Sequence, residues 1–188
     1  MESIWNCLPG KSITSVGRYG GIKYNDFHTD LRYSLDNRDD ETLNDFYRKA
    51  FPFAVEIEFC QDLSLQKKGI DKLIHLSNGN TLTIDEKKRR RDYGDILLEL
   101  WSNKERNTPG WLQYSQCDYI VYAILPAKKV YLLPTLLLQM AWKNNKREWL
   151  TAYPKTLANN GYYNTENIAI PADVLLHAIS AEMQKQIA

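Results

Sequence analysis

The sequence predicts an α+β fold, in which helices flank a central mixed β-sheet, and three stretches of the 188-residue chain support that prediction. Residues 53–60 alternate apolar and acidic side chains with the two-residue period of a strand. Residues 117–125 form a nearly continuous apolar run, as expected of a strand that is covered on both faces. Residues 69–91 hold an Asn-Gly pair between two β-rich segments, which indicates a hairpin.

Helices are expected on both sides of these strands. An aspartate pair at residues 39–40 offers an N-cap for a short amphipathic helix that ends before Pro52. Pro134 opens a second helix, and Pro171 opens a last one with an apolar stripe. Further strands are expected at residues 95–101, 130–133 and 167–170. Without repeats or a composition break, residues 1–188 are interpreted as one domain, with residues 1–40 as an irregular N-terminal arm.

Composition narrows the functional class only slightly. The net charge of +1 does not by itself suggest a nucleic-acid partner, but residues 87–91 are five consecutive cations that could face a polyanion. The three cysteines, Cys7, Cys60 and Cys117, are widely spaced and are interpreted as free thiols in a reducing compartment. With no secretory signal and no apolar run of about 20 residues, a cytoplasmic protein without a membrane partner is expected.

The hairpin carries the residues that suggest chemistry. Asp71 lies near the start of its first strand, and residues 85–88 (Asp-Glu-Lys-Lys) close its second strand. Carboxylates on neighbouring strands are the ligands that a hard cation such as Mg²⁺ prefers, and a lysine beside them can stabilise the charge of a phosphoryl transition state. The pattern therefore predicts a site for phosphodiester hydrolysis, whereas the simplest alternative is a solvated strand end with compensating charges.

The register of the hairpin decides which residues would share this site. With a two-residue turn, paired residue numbers sum to 157, and Asp71 then lies across from Glu86, with Lys88 on the same face. With a three-residue turn or a one-residue bulge, the sum is 158, and Asp71 then shares a face with Asp85 and Lys87. Periodicity alone leaves both registers open, because a slip of one residue turns every side chain of a strand to the other face.

These residues, in their context, resemble a known family. Asp71, followed across the hairpin by residues 84–87 (Ile-Asp-Glu-Lys), looks like the signature of the PD-(D/E)XK nuclease superfamily, whose fold is restriction-endonuclease-like. Residues 66–71, the strand that holds Glu99, the Gly-Trp pair at 110–111 and residues 163–171 resemble an uncharacterised bacterial and phage group within that superfamily. The resemblance covers about residues 40–180.

The resemblance implies a role for each residue of the motif. Asp71 and Asp85 would bind the divalent metal, with the backbone carbonyl of Glu86 as a further ligand, and Lys87 would act on the attacking water. The cofactor would be Mg²⁺, with Mn²⁺ able to substitute. The chain departs from the pattern at Glu86, because the middle position of Asp-x-Lys is commonly apolar and core-facing in the superfamily. That departure keeps Glu86 with Lys88 as the alternative pair.

Several other residues are candidates for the same chemistry. The cations directly after the motif are expected to contact DNA phosphates, and these are Lys88, Arg89, Arg90 and Arg91. The acid that a preceding helix or strand often contributes has no clear counterpart, so Asp45, Glu56 and Glu58 are candidates. Glu99 is a candidate metal or supporting group, and Trp111 is either a base-stacking or a core tryptophan.

The sequence thus predicts a magnesium-dependent DNA nuclease of the PD-(D/E)XK type. The first alternative is a nuclease-fold protein that binds DNA or a protein without cutting. The second is an unrelated α+β interaction domain whose hairpin charges are structural. The favoured site is Asp71, Asp85 and Lys87. Substrate form, endo or exo mode, DNA versus RNA and oligomeric state, a homodimer included, are left open.

Overall fold

The fold was analysed in a computed structural model of the chain. The structure describes residues 23–24, 32–33, 36 and 40–187. The N-terminal arm predicted for residues 1–40 therefore lies almost wholly outside the described residues, and so does Cys7.

The first of two five-stranded sheets contains the hairpin. Its strand order is β2-β3-β4-β7-β8, and all neighbours are antiparallel except β4 and β7, which run parallel. The strands are β2 (Ala54–Phe59), β3 (Lys72–Leu76), β4 (Thr81–Arg89), β7 (Tyr119–Ile124) and β8 (Lys129–Pro134). The parallel pairing of β4 with β7 requires a long crossover, and the chain between them forms part of the second sheet.

The second sheet has the strand order β1-β9-β10-β5-β6. Its strands are β1 (Lys23–Tyr24), β5 (Asp95–Asn103), β6 (Thr108–Pro109), β9 (Lys155–Asn159) and β10 (Asn164–Pro171). The long antiparallel pair of β5 with β10 joins residues about 70 positions apart, for example Ile96 with Ile170. Such a pairing cannot be read from local periodicity, because each strand carries its own pattern whichever partner it finds.

Five α-helices lie within residues 40–187. They are α1 (Glu41–Ala50), α2 (Leu63–Gln66), α3 (Trp111–Tyr114), α4 (Thr135–Ala152) and α5 (Ala172–Ile187). The helix α1 begins as predicted, because the Asp40 carboxylate accepts a hydrogen bond from the Thr42 N–H at 2.8 Å. None of the helices in this part of the chain is long and apolar enough to span a membrane.

The observed architecture confirms the predicted α+β class and the mixed sheet. The second sheet was not anticipated, because residues 95–101 and 167–170 were expected to extend one central sheet. Alternate residues of β7 explain why that strand is apolar throughout. Ile120 and Tyr122 enter the core that also contains residues of β5, α4 and α5, whereas Val121 and Ala123 pack beneath α1.

The apolar face of the edge strand β2 is largely uncovered. Phe53, just before the strand, and Val55 and Ile57 within it are 72%, 68% and 38% exposed. The strand itself forms as predicted and pairs with β3. Alternation assigns residues to two faces of a strand, but it does not determine whether an element covers either face, and α1 packs over the more central strands instead.

Candidate functional site in the hairpin

A three-residue turn joins β3 to β4. The Leu76 N–H donates to the Asn80 carbonyl at 2.8 Å, and the Gly79 N–H donates to the Leu76 carbonyl at 2.9 Å. Gly79 has φ +86°, a left-handed conformation that suits glycine at the last position of such a loop. The two-residue turn considered from the Asn-Gly pair is therefore wrong, and the three-residue alternative is correct.

The register follows from this turn. Lys72 pairs with Ile84, so paired residue numbers sum to 156 rather than to 157 or 158. A sum of 158 places a three-residue loop at residues 78–80, whereas the observed loop is residues 77–79. Both even sums place Asp85 and Lys87 on the face that carries Asp71, because side chains alternate with a period of two. The structure therefore places Asp85, and not Glu86, on the same face as Asp71.

The first face of the hairpin, which we call the acid face, consists of Asp71, Asp85 and Lys87. The Lys87 Nζ lies 2.6 Å from Asp85 Oδ1. The Asp71 carboxylate accepts a hydrogen bond from the Glu86 N–H at 2.9 Å, and the Ser115 hydroxyl donates to Asp85 Oδ2 at 3.2 Å. Asp85 and Lys87 are almost fully buried, whereas Asp71 is partly exposed and gives the group its contact with solvent.

Burial and the neighbouring acid control ionisation on this face. Burial raises the pKa of Asp85, Lys87 lowers it, and the Asp71 carboxylate raises it further, with a net pKa of about 7. Burial also opposes the charged form of Lys87, but Asp85 and Asp71 outweigh it and raise the pKa of that ammonium. One lysine thus faces two carboxylates, and the acid face carries excess negative charge when both acids ionise.

This arrangement fits a divalent cation. The donor set is two carboxylates, the oxygens that Mg²⁺ prefers, and a cation bound here would share Asp85 Oδ1 with the Lys87 ammonium, which lies 2.6 Å from it. No group of three or more His, Cys, Asp or Glu side chains is placed to hold a metal within the described residues. Two carboxylates with water completing the shell is nevertheless a common way of holding Mg²⁺, which keeps several of its waters in proteins.

The opposite face, which we call the network face, consists of Lys72, Glu86 and Lys88 beneath α1. The Glu86 carboxylate lies 2.9 Å from both lysine Nζ atoms and accepts a hydrogen bond from the Tyr47 hydroxyl at 2.6 Å. Burial opposes ionisation of Glu86, but the two lysines and Tyr47 outweigh it and lower its pKa. The alternative pair, Glu86 and Lys88, belongs to this closed, buried cluster. Its side chains therefore lie on the face of the hairpin opposite Asp71.

The basic run differs from its prediction for two of its members. Lys88 and Arg89 were expected to contact DNA phosphates, but they are only 2% and 5% exposed. Lys88 is paired with Glu86, and Arg89 forms an ion pair with Asp95 and lies 4.9 Å from the ring centre of Tyr93. Their role as phosphate contacts is therefore wrong for this fold.

The last two cations of the run, Arg90 and Arg91, lie beyond the end of β4. Arg90 is partly exposed, with its guanidinium 4.3 Å from the ring centre of Tyr33, and Arg91 is exposed. Contact of Arg90 and Arg91 with nucleic acid stays a prediction.

Glu99 supports the segment that covers the acid face. It is 4% exposed, and its Oε1 accepts a hydrogen bond from the Trp111 N–H at the start of α3. A Cβ at Gly110 would lie 2.2 Å from the Glu99 carbonyl oxygen, so only glycine allows this approach of the two segments. Glu99 thus makes a buried structural contact with the Gly-Trp pair, and Trp111 is a core residue, not a stacking surface.

The structure adds two residues that the sequence did not single out, Ser115 and Tyr114. Ser115 donates to Asp85, and the charges of Lys87 and the acid pair act on Tyr114, whose pKa burial raises to about 12. Gly69, which belongs to the segment 66–71 of the resemblance, packs against both Ser115 and Asp85, and its φ of +76° is a left-handed conformation that favours glycine. Ser115 is brought to the site by the chain fold alone.

The remaining acidic candidates do not join the acid face. Asp45 pairs with Arg48 along α1, and Glu58 lies 3.2 Å from His75 on the neighbouring strand. Glu56 is exposed on β2. Cys60 and Cys117 are buried free thiols, as predicted.

Comparison of the chain with the profiles of known protein families, with curated proteins and with solved structures finds no match in any of the three. The resemblance to the PD-(D/E)XK superfamily therefore depends on the residues of the chain itself, and membership stays a prediction.

Proposed function

We propose that the protein is a metal-dependent nuclease that hydrolyses phosphodiester bonds in DNA at the acid face of the hairpin. The observation that carries the proposal is the acid pair itself. Asp71 and Asp85 lie on one face beside a charged lysine, and Asp85 is buried with a pKa of about 7. Two carboxylates against one lysine, with one of the acids buried, suit a divalent cation better than a structural role.

The residues of the acid face divide the chemistry among them. Asp71 and Asp85 would hold Mg²⁺, or Mn²⁺ in its place, with the backbone carbonyl of Glu86 as a further ligand by resemblance. The bound cation would lower the pKa of a water and shield charge on the phosphate. Lys87 keeps its proton because two carboxylates face it, so its ammonium can orient the attacking water and stabilise negative charge on the phosphorane.

Two further observations support this function. The motif on the acid face is the one that resembles the PD-(D/E)XK signature, and the even register puts its acids and lysine on one side of the sheet. The motif lies on neighbouring strands in the middle of a mixed sheet, as the resemblance implies. We also propose a cytoplasmic location, where DNA and free Mg²⁺ are available and thiols stay reduced.

The test is cleavage of duplex, single-stranded and branched DNA with Mg²⁺ or Mn²⁺ by wild type, Asp71→Asn and Asp85→Asn. Both variants should lose cleavage, because each removes a carboxylate ligand while keeping side-chain size. Asp173→Asn is the matched control, since Asp173 is exposed in the first turn of α5, and it should cut as wild type does. Cleavage that survives in either site variant would place the activity elsewhere.

The burial of the site favours a second candidate, a nuclease-fold module that binds DNA or a protein without cutting. Asp85 and Lys87 are 0% and 3% exposed, so a scissile phosphate does not reach them unless the residues that cover them move. DNA binding by wild type without cleavage under any of the metal conditions would favour this candidate. Absence of both binding and cleavage would favour an α+β interaction domain with a structural hairpin.

A further inference from the structure

Two exposed lysines lie at the entrance to the acid face. Lys67 and Lys68 follow the short helix α2 and directly precede Gly69, and both side chains are exposed. Neither forms an ion pair with another described residue. The carboxylate of Asp62 accepts a hydrogen bond from the Ser64 N–H as the cap of α2. This bond, and to a smaller extent the charge of Lys68, lowers the pKa of Asp62.

Backbone contacts fix these lysines next to the acid pair. A Cβ added to Gly69 would lie 3.1 Å from Asp85 Oδ2 and 2.7 Å from the Ser115 hydroxyl, so the backbone of this residue touches the site. The Lys68 carbonyl accepts a hydrogen bond from the Gln116 N–H at 3.0 Å. The segment 67–69 is therefore joined to the segment 114–116, and together the two segments border the acid face.

The distribution of charge around the site gives these lysines a distinct role. The cations of β4 are neutralised inside the fold, because Lys87 pairs with Asp85, Lys88 with Glu86, and Arg89 with Asp95. Exposed, unneutralised lysines beside a buried site attract a polyanion, whereas buried pairs do not. Exposed positive charge is thus present near the acid face on a segment other than residues 88–91.

We propose that Lys67 and Lys68 bind the phosphodiester backbone of DNA and hold it at the entrance to the acid face. This inference rests on the proposed function for the choice of DNA as ligand. The contacts are sequence-independent and electrostatic, so they release counterions and contribute to the salt dependence of binding.

The experiment measures binding of a short fluorescent duplex DNA by anisotropy, in EDTA, so that no metal-dependent hydrolysis occurs. The double variant Lys67→Ala/Lys68→Ala is compared with wild type at several salt concentrations. Its affinity should fall about tenfold or more at low salt, and its salt slope should shrink by about 2, because each lost phosphate contact removes about 0.9 from the slope. The matched control is Lys143→Ala/Lys155→Ala, which removes two exposed lysines of α4 and β9.

The possible results separate this inference from the nuclease proposal. Loss of affinity and slope in the Lys67/Lys68 variant, but not in the control, supports the inference even if wild type cuts no DNA. Unchanged affinity and slope in that variant overturn the inference even if wild type cuts DNA with Mg²⁺. Equal losses in both double variants, or no DNA binding by wild type, also overturn it. Circular dichroism checks that both variants are folded, as expected for exposed lysines.

Discussion

The two faces of β4 carry the same kinds of residue but balance their charges in opposite ways. The acid face has two carboxylates and one lysine, and its Asp85 has a raised pKa. The network face has one carboxylate and two lysines, and the pKa of its Glu86 is lowered. Since Asp85 and Glu86 are both buried, the difference teaches that charge balance, not residue type, sets the direction in which the pKa of each carboxyl group is shifted.

The largest effect that separates the two faces is expected in catalysis. Lys87→Met should lower the rate of DNA cleavage by about 10²- to 10⁴-fold, because it removes the only cation of the acid face. Lys88→Met should change the rate far less, because the Lys88 ammonium of the wild type contacts Glu86 on the other side of the sheet. Single-turnover cleavage with Mg²⁺ measures both. A folded Lys88→Met protein that is as inactive as Lys87→Met would contradict the assignment of catalysis to the acid face.

The next effect is on the free energy of unfolding. Glu86→Gln should destabilise the protein by about 3 kcal/mol or more, because it leaves two buried lysines without a counter-charge. Asp85→Asn, a matched change on the acid face, should cost much less in EDTA, because it also removes repulsion from Asp71. Urea denaturation at neutral pH measures both variants. Equal losses of unfolding free energy in the two variants would show that the charges of the acid face are as well balanced as those of the network face.

The two faces should also respond to pH with opposite signs. The folded pKa of Glu86 is below its ordinary value of 4.5, so its contribution to stability is present above pH 4.5 and is lost as pH falls through the folded pKa. Asp85 is raised from 3.8 to about 7, so the fold favours its neutral form, and stability declines as pH rises from 3.8 through 7.

Urea unfolding in EDTA measures the free energy of unfolding across this pH range. Glu86→Gln should weaken its dependence on pH in the acid range, and Asp85→Asn should weaken its dependence on pH near neutrality. If Asp85→Asn leaves the pH dependence of the unfolding free energy unchanged between pH 4 and pH 7, the pKa of Asp85 is not raised in the folded protein.

The smallest effect is stabilisation by metal. At Mg²⁺ concentrations of ten times Kd, binding to the folded state should add about 1.4 kcal/mol, or about 3 °C to 5 °C in Tm. The shift should vanish in Asp71→Asn and Asp85→Asn, and it should persist in Glu86→Gln, whose carboxylate lies on the network face. Differential scanning fluorimetry measures it. A shift that Glu86→Gln abolishes and Asp85→Asn retains would move the metal to the other face.

Much of the local structure could be predicted from the sequence. The strands at 53–60, 95–101 and 117–125 and the helices after Asp40, Pro134 and Pro171 all form close to their expected positions. The sequence did not show which residues are covered. Lys88 and Arg89, expected to contact phosphates, are buried, and the apolar side of β2 is exposed, because burial depends on which elements pack over a strand and not on the strand's own pattern.

The candidate site divides in the same way. Asp71, Asp85 and Lys87 were selected by the resemblance, because periodicity left the register of the hairpin open, and the observed register then puts them on one face. Ser115 and the Lys67–Lys68 pair could not be selected, because they approach Asp85 through contacts between segments up to 48 positions apart in the sequence, such as the hydrogen bond of Gln116 with Lys68.

The sequence by itself therefore determined the elements, the hairpin and the alternation of side chains along each strand, since a strand's period of two is a local property, but it left open which face of β4 carries Asp71. Only the tertiary structure decided what each face does. Packing of α1 over one face closed Glu86 into a network with two lysines, whereas the segments 67–69 and 114–116 border a face that keeps an unbalanced acid pair. The free energy of a buried charge depends on its neighbours in space, and the chain fold alone supplies them.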